Sequence, residues 1–446
     1  MKKVLLLALA LALALVFSVS FIFAGGAQES AADEDQFITI HWAQWAPADY
    51  LQKLSEGFTA ETGIKVIVEQ TPWETFVQKY NVEMIARSDA WDIIVGDSQD
   101  LGNMADSGHY VDLTKFFNDN GLKNKFTESS VAAYAEYPAK SGKYWGIPAE
   151  GDCLGWAYRK DLFEKPENAA AFKAKYGYKL DVPKNWDEML DIAEFFHDPD
   201  NGFYGISIYG DNGYDSLVMF AEQMIWTYGG DLGDYATGQV LGILNTPESA
   251  AGLKRYKELF QFVPPAFNDA FFVKANDAFT AGIVPMTCNY YAFLPALANN
   301  ATNPYADGTD YFACPPQKGA DGIIRQYSAL GGQGASVITY SKKKDLAMKW
   351  MEWFIRDDVQ MEWARIGGYS CSKTVLDSDT FLNAAPYNPA FAESLNIMKD
   401  FWSHPDYGEL MEIAARTLGN YIIRDNGTAE EALQACAEEW DAVINK

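Results

Sequence analysis

Two carboxylates flank a single glycine in Glu150-Gly151-Asp152, within the extended run KYWGIPAEGDCLGWAYRKDLF that separates two long helix-rich regions. Side chains of this kind can accept hydrogen bonds from ligand hydroxyls or, as a pair with one pKa raised, act as the acid and base of a glycosidase. A third carboxylate, Asp97, follows the apolar run WDIIVG, and Gln44-Trp45 follows FITIHW. Other constellations are missing: the chain has no GxSxG elbow, no GxxxxGK phosphate loop and no dinucleotide fingerprint. His41, His109, His197 and His404 stand far apart, without HxxxH or HExxH spacing, and the five cysteines form no CxxC. The loop HDPDNGFYG lacks the spacing and terminal Glu of a calcium loop and reads as a turn. No catalytic residue, metal site or cofactor is therefore assigned.

The elements that must position these groups follow from periodicity. Strands are expected at 37–42, 64–69 and 91–96, with helices at 48–60 and 73–87 between them, and Gly63 is a natural helix stop. Such alternation predicts α/β layering with a parallel-type sheet covered on both faces. Ligands of open sheets bind beyond the carboxyl ends of the strands, which selects Gln44-Trp45 and Asp97. Alternation of Cys153, Gly155 and Ala157 with Leu154, Trp156 and Tyr158 predicts a strand entering a second lobe. Further on, Thr246 caps a helix that has Pro247 in its first turn, and Thr428 with Glu431 forms a capping box before the last helix. Ala347, Trp350, Met351 and Phe354 mark a core stripe on a helix starting near residue 344.

With 446 residues, 48% of them hydrophobic, the chain suffices for about two to three domains. Residues 1–27 read as a signal peptide: Lys2 and Lys3, an apolar run, then Gly25-Gly26-Ala27; residues 28–36 read as a linker. A tethered protein that retains the apolar run is the alternative. Absence of a nearby cysteine argues against a diacylglycerol-cysteine anchor, so a secreted periplasmic or extracellular protein is expected. The net charge of −26 becomes more negative once Lys2 and Lys3 leave, which argues against nucleic acid and anionic membranes as partners.

Several blocks carry a family resemblance. Gly142-Lys143-Tyr144 and Gly146-Ile147-Pro148, followed by the acidic pair, a strand and Tyr158-Arg159-Lys160-Asp161-Leu162-Phe163-Glu164, resemble a lobe crossing of the family 1 extracellular solute-binding proteins of carbohydrate ABC importers. VPKNWDEMLDIAEFF, FYGISIYG, EQMIWTYGGDL and Gly331-Gly332-Gln333-Gly334 with ASVITY resemble later blocks of that family. Gly282-Ile283 departs from the family's Gly-Lys, and Ser370-Cys371-Ser372 from its usual proline. The resemblance implies a two-lobed, type II periplasmic-binding-protein-like α/β fold with three inter-lobe crossings, the third expected after Tyr369. Lobe I would comprise residues 37–150 and 329–372, and lobe II residues 151–328 and 373–446. It further implies a monomer that captures a sugar, oligosaccharide or polyol and delivers it to the permease subunits of an ABC importer. Sugars present hydroxyls to polar groups and C–H faces to aromatic rings, and aromatic residues make up 15% of this chain. The candidate ligand residues are Gln44, Trp45, Asp97, Glu150, Asp152, Tyr209, Trp226, Tyr290, Gly332 and Gln333. A glycoside-active enzyme with a cleft carboxylate pair, and a binder of a non-sugar solute such as a phosphorylated polyol, stand as alternatives.

Overall fold

The computed structural model describes residues 36–446 apart from residue 214. The signal-like run and nearly all of the linker lie outside the described residues. Among the described residues no helix is long and apolar enough to cross a membrane.

The first sheet begins with β1 (Phe37–Ala43), β2 (Lys65–Thr71) and β3 (Ile93–Asp97). Both neighbours of β1 run parallel to it. From Ile38 onward every residue of β1 is buried, the mark of a strand covered on both faces, whereas β2 exposes Lys65 and Ile67 at the sheet's edge. The helix Ala46–Thr62 follows β1 with Pro47 in its first turn, buries Leu51, Leu54 and Phe58, and stops at Gly63, whose φ of 77° closes the C-cap.

β4 (Ile147–Glu150) and β5 (Leu154–Arg159) follow one another across the crossing, and β6 (Met286–Tyr290) and β7 (Thr309–Ala313) flank β5 in a second, three-stranded sheet. Two-residue strands come next: β8 (Gln317–Lys318), β9 (Ile324–Arg325) and β10 (Ser328–Ala329). The chain then returns to the first sheet as β11 (Gln333–Val337), which inserts antiparallel between β3 and β4. The first sheet is thus mixed, a correction to the parallel-type expectation. Its return strand arrives from the other lobe and so enters from the strands' carboxyl ends.

The molecule is two-lobed, with a core in each lobe. β5 serves both: Cys153 and Ala157 pack in the first core, while Leu154, Trp156 and Tyr158 pack in the second. The expected alternation is present, yet it separates two interiors rather than interior from solvent. Helices Trp186–Phe196, Ser216–Tyr228, Pro247–Phe260, Tyr407–Ile422 and Ala429–Ile444 build the second core. Thr246 accepts from the Ser249 amide, and the Thr428–Glu431 capping box is complete. By contrast, FYGISIYG forms no strand and joins its sheet only through a Ser207–Thr287 bridge.

Three passages between the lobes lie side by side. Cys153 bridges Leu330, the Gly331 amide donates to the Asp152 carbonyl at 3.0 Å, and β10 pairs with β12 (Met398–Lys399). The chain stays in the first core from Val375 through Met398 and enters the second at Phe401. The third passage therefore falls at 398–401 instead of after Tyr369, because Phe381, Phe391 and Leu395 fill the first core.

Candidate ligand-binding site

Trp45 is the N-cap residue of the helix that follows β1, and Trp73 opens the helix that follows β2. Each therefore projects from the carboxyl end of a strand. Their rings meet edge to face at 5.4 Å, and Trp42 supports Trp45 from below at 5.6 Å. Asp97 ends β3 and caps the helix Ser98–Asp106, accepting from the Ser98 amide at 3.1 Å.

Insertion of β11 completes this wall. In register, Gln333 lies opposite Asp97 on one side and Glu150 on the other. Its Oε1 accepts from Trp42 Nε1 at 3.2 Å, which fixes the amide against the indole platform. Two glycines let the strand pass. A Cβ at Gly331 would lie 2.3 Å from the Tyr290 ring, and one at Gly332 would lie 2.3 Å from the Glu150 carbonyl oxygen.

Across from this wall stand Asp215, Phe272, Tyr290 and Phe293. Together with Trp45, Trp73, Asp97, Asp152, Gly331 and Gln333 they line a narrow cleft that is partly open to solvent. Phe272 stacks on Phe293 at 4.8 Å and holds φ at 41°, an unfavourable value for a bulky residue that marks backbone strain beside the cleft. Asp215 precedes the helix Ser216–Tyr228; its Oδ2 accepts from the Tyr290 hydroxyl at 3.5 Å, while the buried Oδ1 has no partner. Asp152 is tied by backbone donors, Cys153 N at 2.8 Å and Ala292 N at 3.3 Å.

The electrostatics of this region are those of acids withdrawn from water. Burial pushes Asp152 up to about 8. Burial, with repulsion from Asp97, pushes Asp215 up to about 8. Glu150 is raised well above the carboxylate range by burial and then by Asp152 and Asp97; neither of its oxygens has a protein partner. None of the lining residues is Lys, Arg or His.

Five of the ten sequence candidates line the cleft: Trp45, Asp97, Asp152, Tyr290 and Gln333. Five stand back from it. Gln44 is exposed, with its amide donating to the Thr71 carbonyl. Glu150 and Gly332 are buried behind the wall. Tyr209 is buried, its ring 5.9 Å from Tyr290 and its hydroxyl donating to Asn289 at 2.6 Å. Trp226 lies in the second core beneath Lys399. Sequence reasoning did not select Trp73, Asp215, Phe272, Phe293 or Gly331 as ligand residues. A helix-start aspartate and an aromatic pair in a short loop look the same whether they face a ligand or a core.

The profile of the bacterial extracellular solute-binding proteins matches residues 42–361. The chain belongs to that family. A binding protein of Brucella abortus (strain 2308) is 24% identical to this solute-binding protein over 433 residues, covering 95% of this chain and 96% of the relative. Among solved structures, the maltose-bound MalE3 of T. maritima superposes with a TM-score of 0.74 at 22% identity, covering 91% of this chain and 99% of its own. A solute-binding protein of Agrobacterium radiobacter K84 in complex with ribitol gives 0.74 at 21% identity, covering 91% and 98%. Both share the two-lobed fold, and the cleft of this solute-binding protein lies where its own lobes meet.

Proposed function

We propose that this solute-binding protein captures a sugar, oligosaccharide or polyol outside the cytoplasm and delivers it, as a monomer, to the permease subunits of an ABC importer. The observation that carries this reading is the composition of the cleft. The rings of Trp45, Trp73, Phe272, Tyr290 and Phe293 surround the polar groups of Asp97, Asp152, Asp215 and Gln333. Rings cover the C–H faces of a sugar, while carboxylates and an amide accept from its hydroxyls. The ligands named for the two structural neighbours, a disaccharide and a polyol, are of this chemistry. A phosphorylated ligand fits poorly, because three carboxylates line the cleft and no cation does. Membership of a binding-protein family also weighs against the glycoside-active alternative. Three adjacent passages supply the hinge about which the lobes close on the ligand.

A thermal-shift screen of the mature protein against monosaccharides, polyols and oligosaccharides tests this reading. A ligand at 100 times its Kd should add about 2.7 kcal/mol of stability and be recovered intact. Recovery of cleaved ligand would replace the transport reading with an enzyme, and silence across all carbohydrate classes would remove the carbohydrate.

A further inference from the structure

The cleft is more acidic than neutral hydroxyls require. Three of its lining residues are carboxylates, and none is a base. Glu150 lies buried behind the wall with both oxygens unpartnered, and Asp400, on the third passage, adds a buried Oδ2 without a partner. The nearest strong cation on the passages, Lys399, is already held by Asp231 at 3.0 Å.

Asp215 identifies where the unmet demand lies. It is only 7% exposed, lines the cleft, and leaves Oδ1 without any donor. Its single side-chain partner, the Tyr290 hydroxyl, is at the long limit of a hydrogen bond. Tyr290, Phe272 and Phe293 line the cleft with it, as do the two indoles. Aromatic faces attract cations as well as C–H groups, and the attraction strengthens when both are desolvated. A net charge of −26 also steers cations toward the protein from solution.

We propose that the ligand of this cleft carries an ammonium group beside its hydroxyls, as an amino sugar or amino polyol does, and that Asp215 with Asp97 receives that group. The inference rests on the carbohydrate reading above and narrows it. A neutral sugar donates hydrogen bonds but leaves the buried charge uncompensated, so the acids must keep their protons when the lobes close on it. An ammonium group compensates the charge and lets protons leave. Binding of the cation thus releases protons, and its affinity rises with pH between about 5 and 8 while the amine stays charged. The groups facing this region are Asp97, Glu150, Asp152, Asp215, Glu222 and Asp400, the ammonium of Lys399 that Asp231 holds, and the hydroxyls of Tyr134, Tyr209, Tyr290 and Tyr407, which burial keeps neutral.

Matched pairs test the proposal by calorimetry on the full mature chain: glucosamine against glucose, glucosamine disaccharide against cellobiose and N,N′-diacetylchitobiose, and 1-amino-1-deoxysorbitol against sorbitol, with spermidine and choline as non-sugar cations. At least one amine should bind ten times tighter than its neutral counterpart and release protons to the buffer. Asp215→Asn should cut the amine's affinity at least about tenfold more than it cuts that of the neutral partner, bringing the ratio of the two close to one. Asp97→Asn, which keeps a side-chain oxygen at the helix cap, serves if the first variant does not fold. Neutral members binding as tightly as their amines would overturn the charge inference and leave the carbohydrate reading intact. Equal losses for both members in Asp215→Asn would reduce that residue to a hydroxyl acceptor and overturn the inference as well. Binding of spermidine or choline alone would overturn both readings.

Discussion

On the first-lobe wall, Trp45, Trp73 and Asp97 each stand at the carboxyl end of a parallel strand and at the start of a helix, whereas on the second-lobe wall Asp215, Phe272 and Phe293 come from helix starts and turns outside the sheet. The first wall is a platform. Its two indoles pack edge to face, and its amide is held by Trp42. The second wall carries strain and an unpaired acid: Phe272 sits at positive φ, and Asp215 Oδ1 has no donor. A rigid face and a face with unmet hydrogen bonding divide the work of binding. Rings on the first bury apolar area on contact, and polar groups on the second are satisfied only when a ligand arrives.

Removing the platform should do most damage. Trp45→Ala with Trp73→Ala deletes both indoles, and with about 2 kcal/mol for a buried aromatic anchor the pair should weaken the best ligand by at least about a hundredfold in calorimetry. A loss below about threefold would transfer the anchoring role to the second wall.

The acids between and beyond the platform predict a pH dependence of the empty protein. Asp152, Asp215 and Glu222 are pushed up to about 8, chiefly by burial, so the folded state retains protons that the unfolded chain has lost above about pH 4. Their contribution is greatest below that unfolded value, falls as pH rises toward about 8, and levels off above it. Urea unfolding at pH 5 and pH 8 should show a loss of several kcal/mol, since each such acid contributes about 1.4 kcal/mol per pH unit, and the loss should be smaller in Asp152→Asn. A rise in stability over this window would mean that the acids are ionised at little cost.

A finer probe of the second wall is Tyr290→Phe, which removes the hydroxyl that reaches Asp215 and the Leu330 carbonyl, each at 3.5 Å. Loss of one modest hydrogen bond, about 1 kcal/mol, should weaken binding about fivefold while the melting temperature changes little. A change above fiftyfold would make the hydroxyl a direct ligand contact.

Thr428→Ala lies far from either wall. It breaks the capping box of the helix Ala429–Ile444 and should cost about 0.5–1 kcal/mol of stability. Ligand affinity should not move, and any change would couple the terminal helix to the cleft.

Local order was legible wherever a side chain's role depends on its chain neighbours. Gly63 ends one helix, Thr246 and Thr428 start two others, and the strand-end rule led to Trp45 and Asp97. Tyr209 and Trp226 were expected at the ligand but support the second core instead, since an aromatic on an apolar helix or segment gives the same signal for both places. FYGISIYG resembles a strand block of the family but makes only a single bridge, Ser207–Thr287, beside the edge strand β6.

The amino-acid sequence by itself determined the capped helices, the α/β alternation of the first lobe and the acidic pair at the first crossing, because these follow from periodicity and backbone chemistry over a few residues. Only the tertiary structure decided that β11 would return antiparallel between β3 and β4 and place Gln333 between Asp97 and Glu150. It likewise decided that the third passage would wait until Met398 and that Asp215 would face the cleft with an oxygen unpaired. Those outcomes depend on contacts between segments hundreds of residues apart, whose energy belongs to packing and burial and leaves no local pattern in the chain.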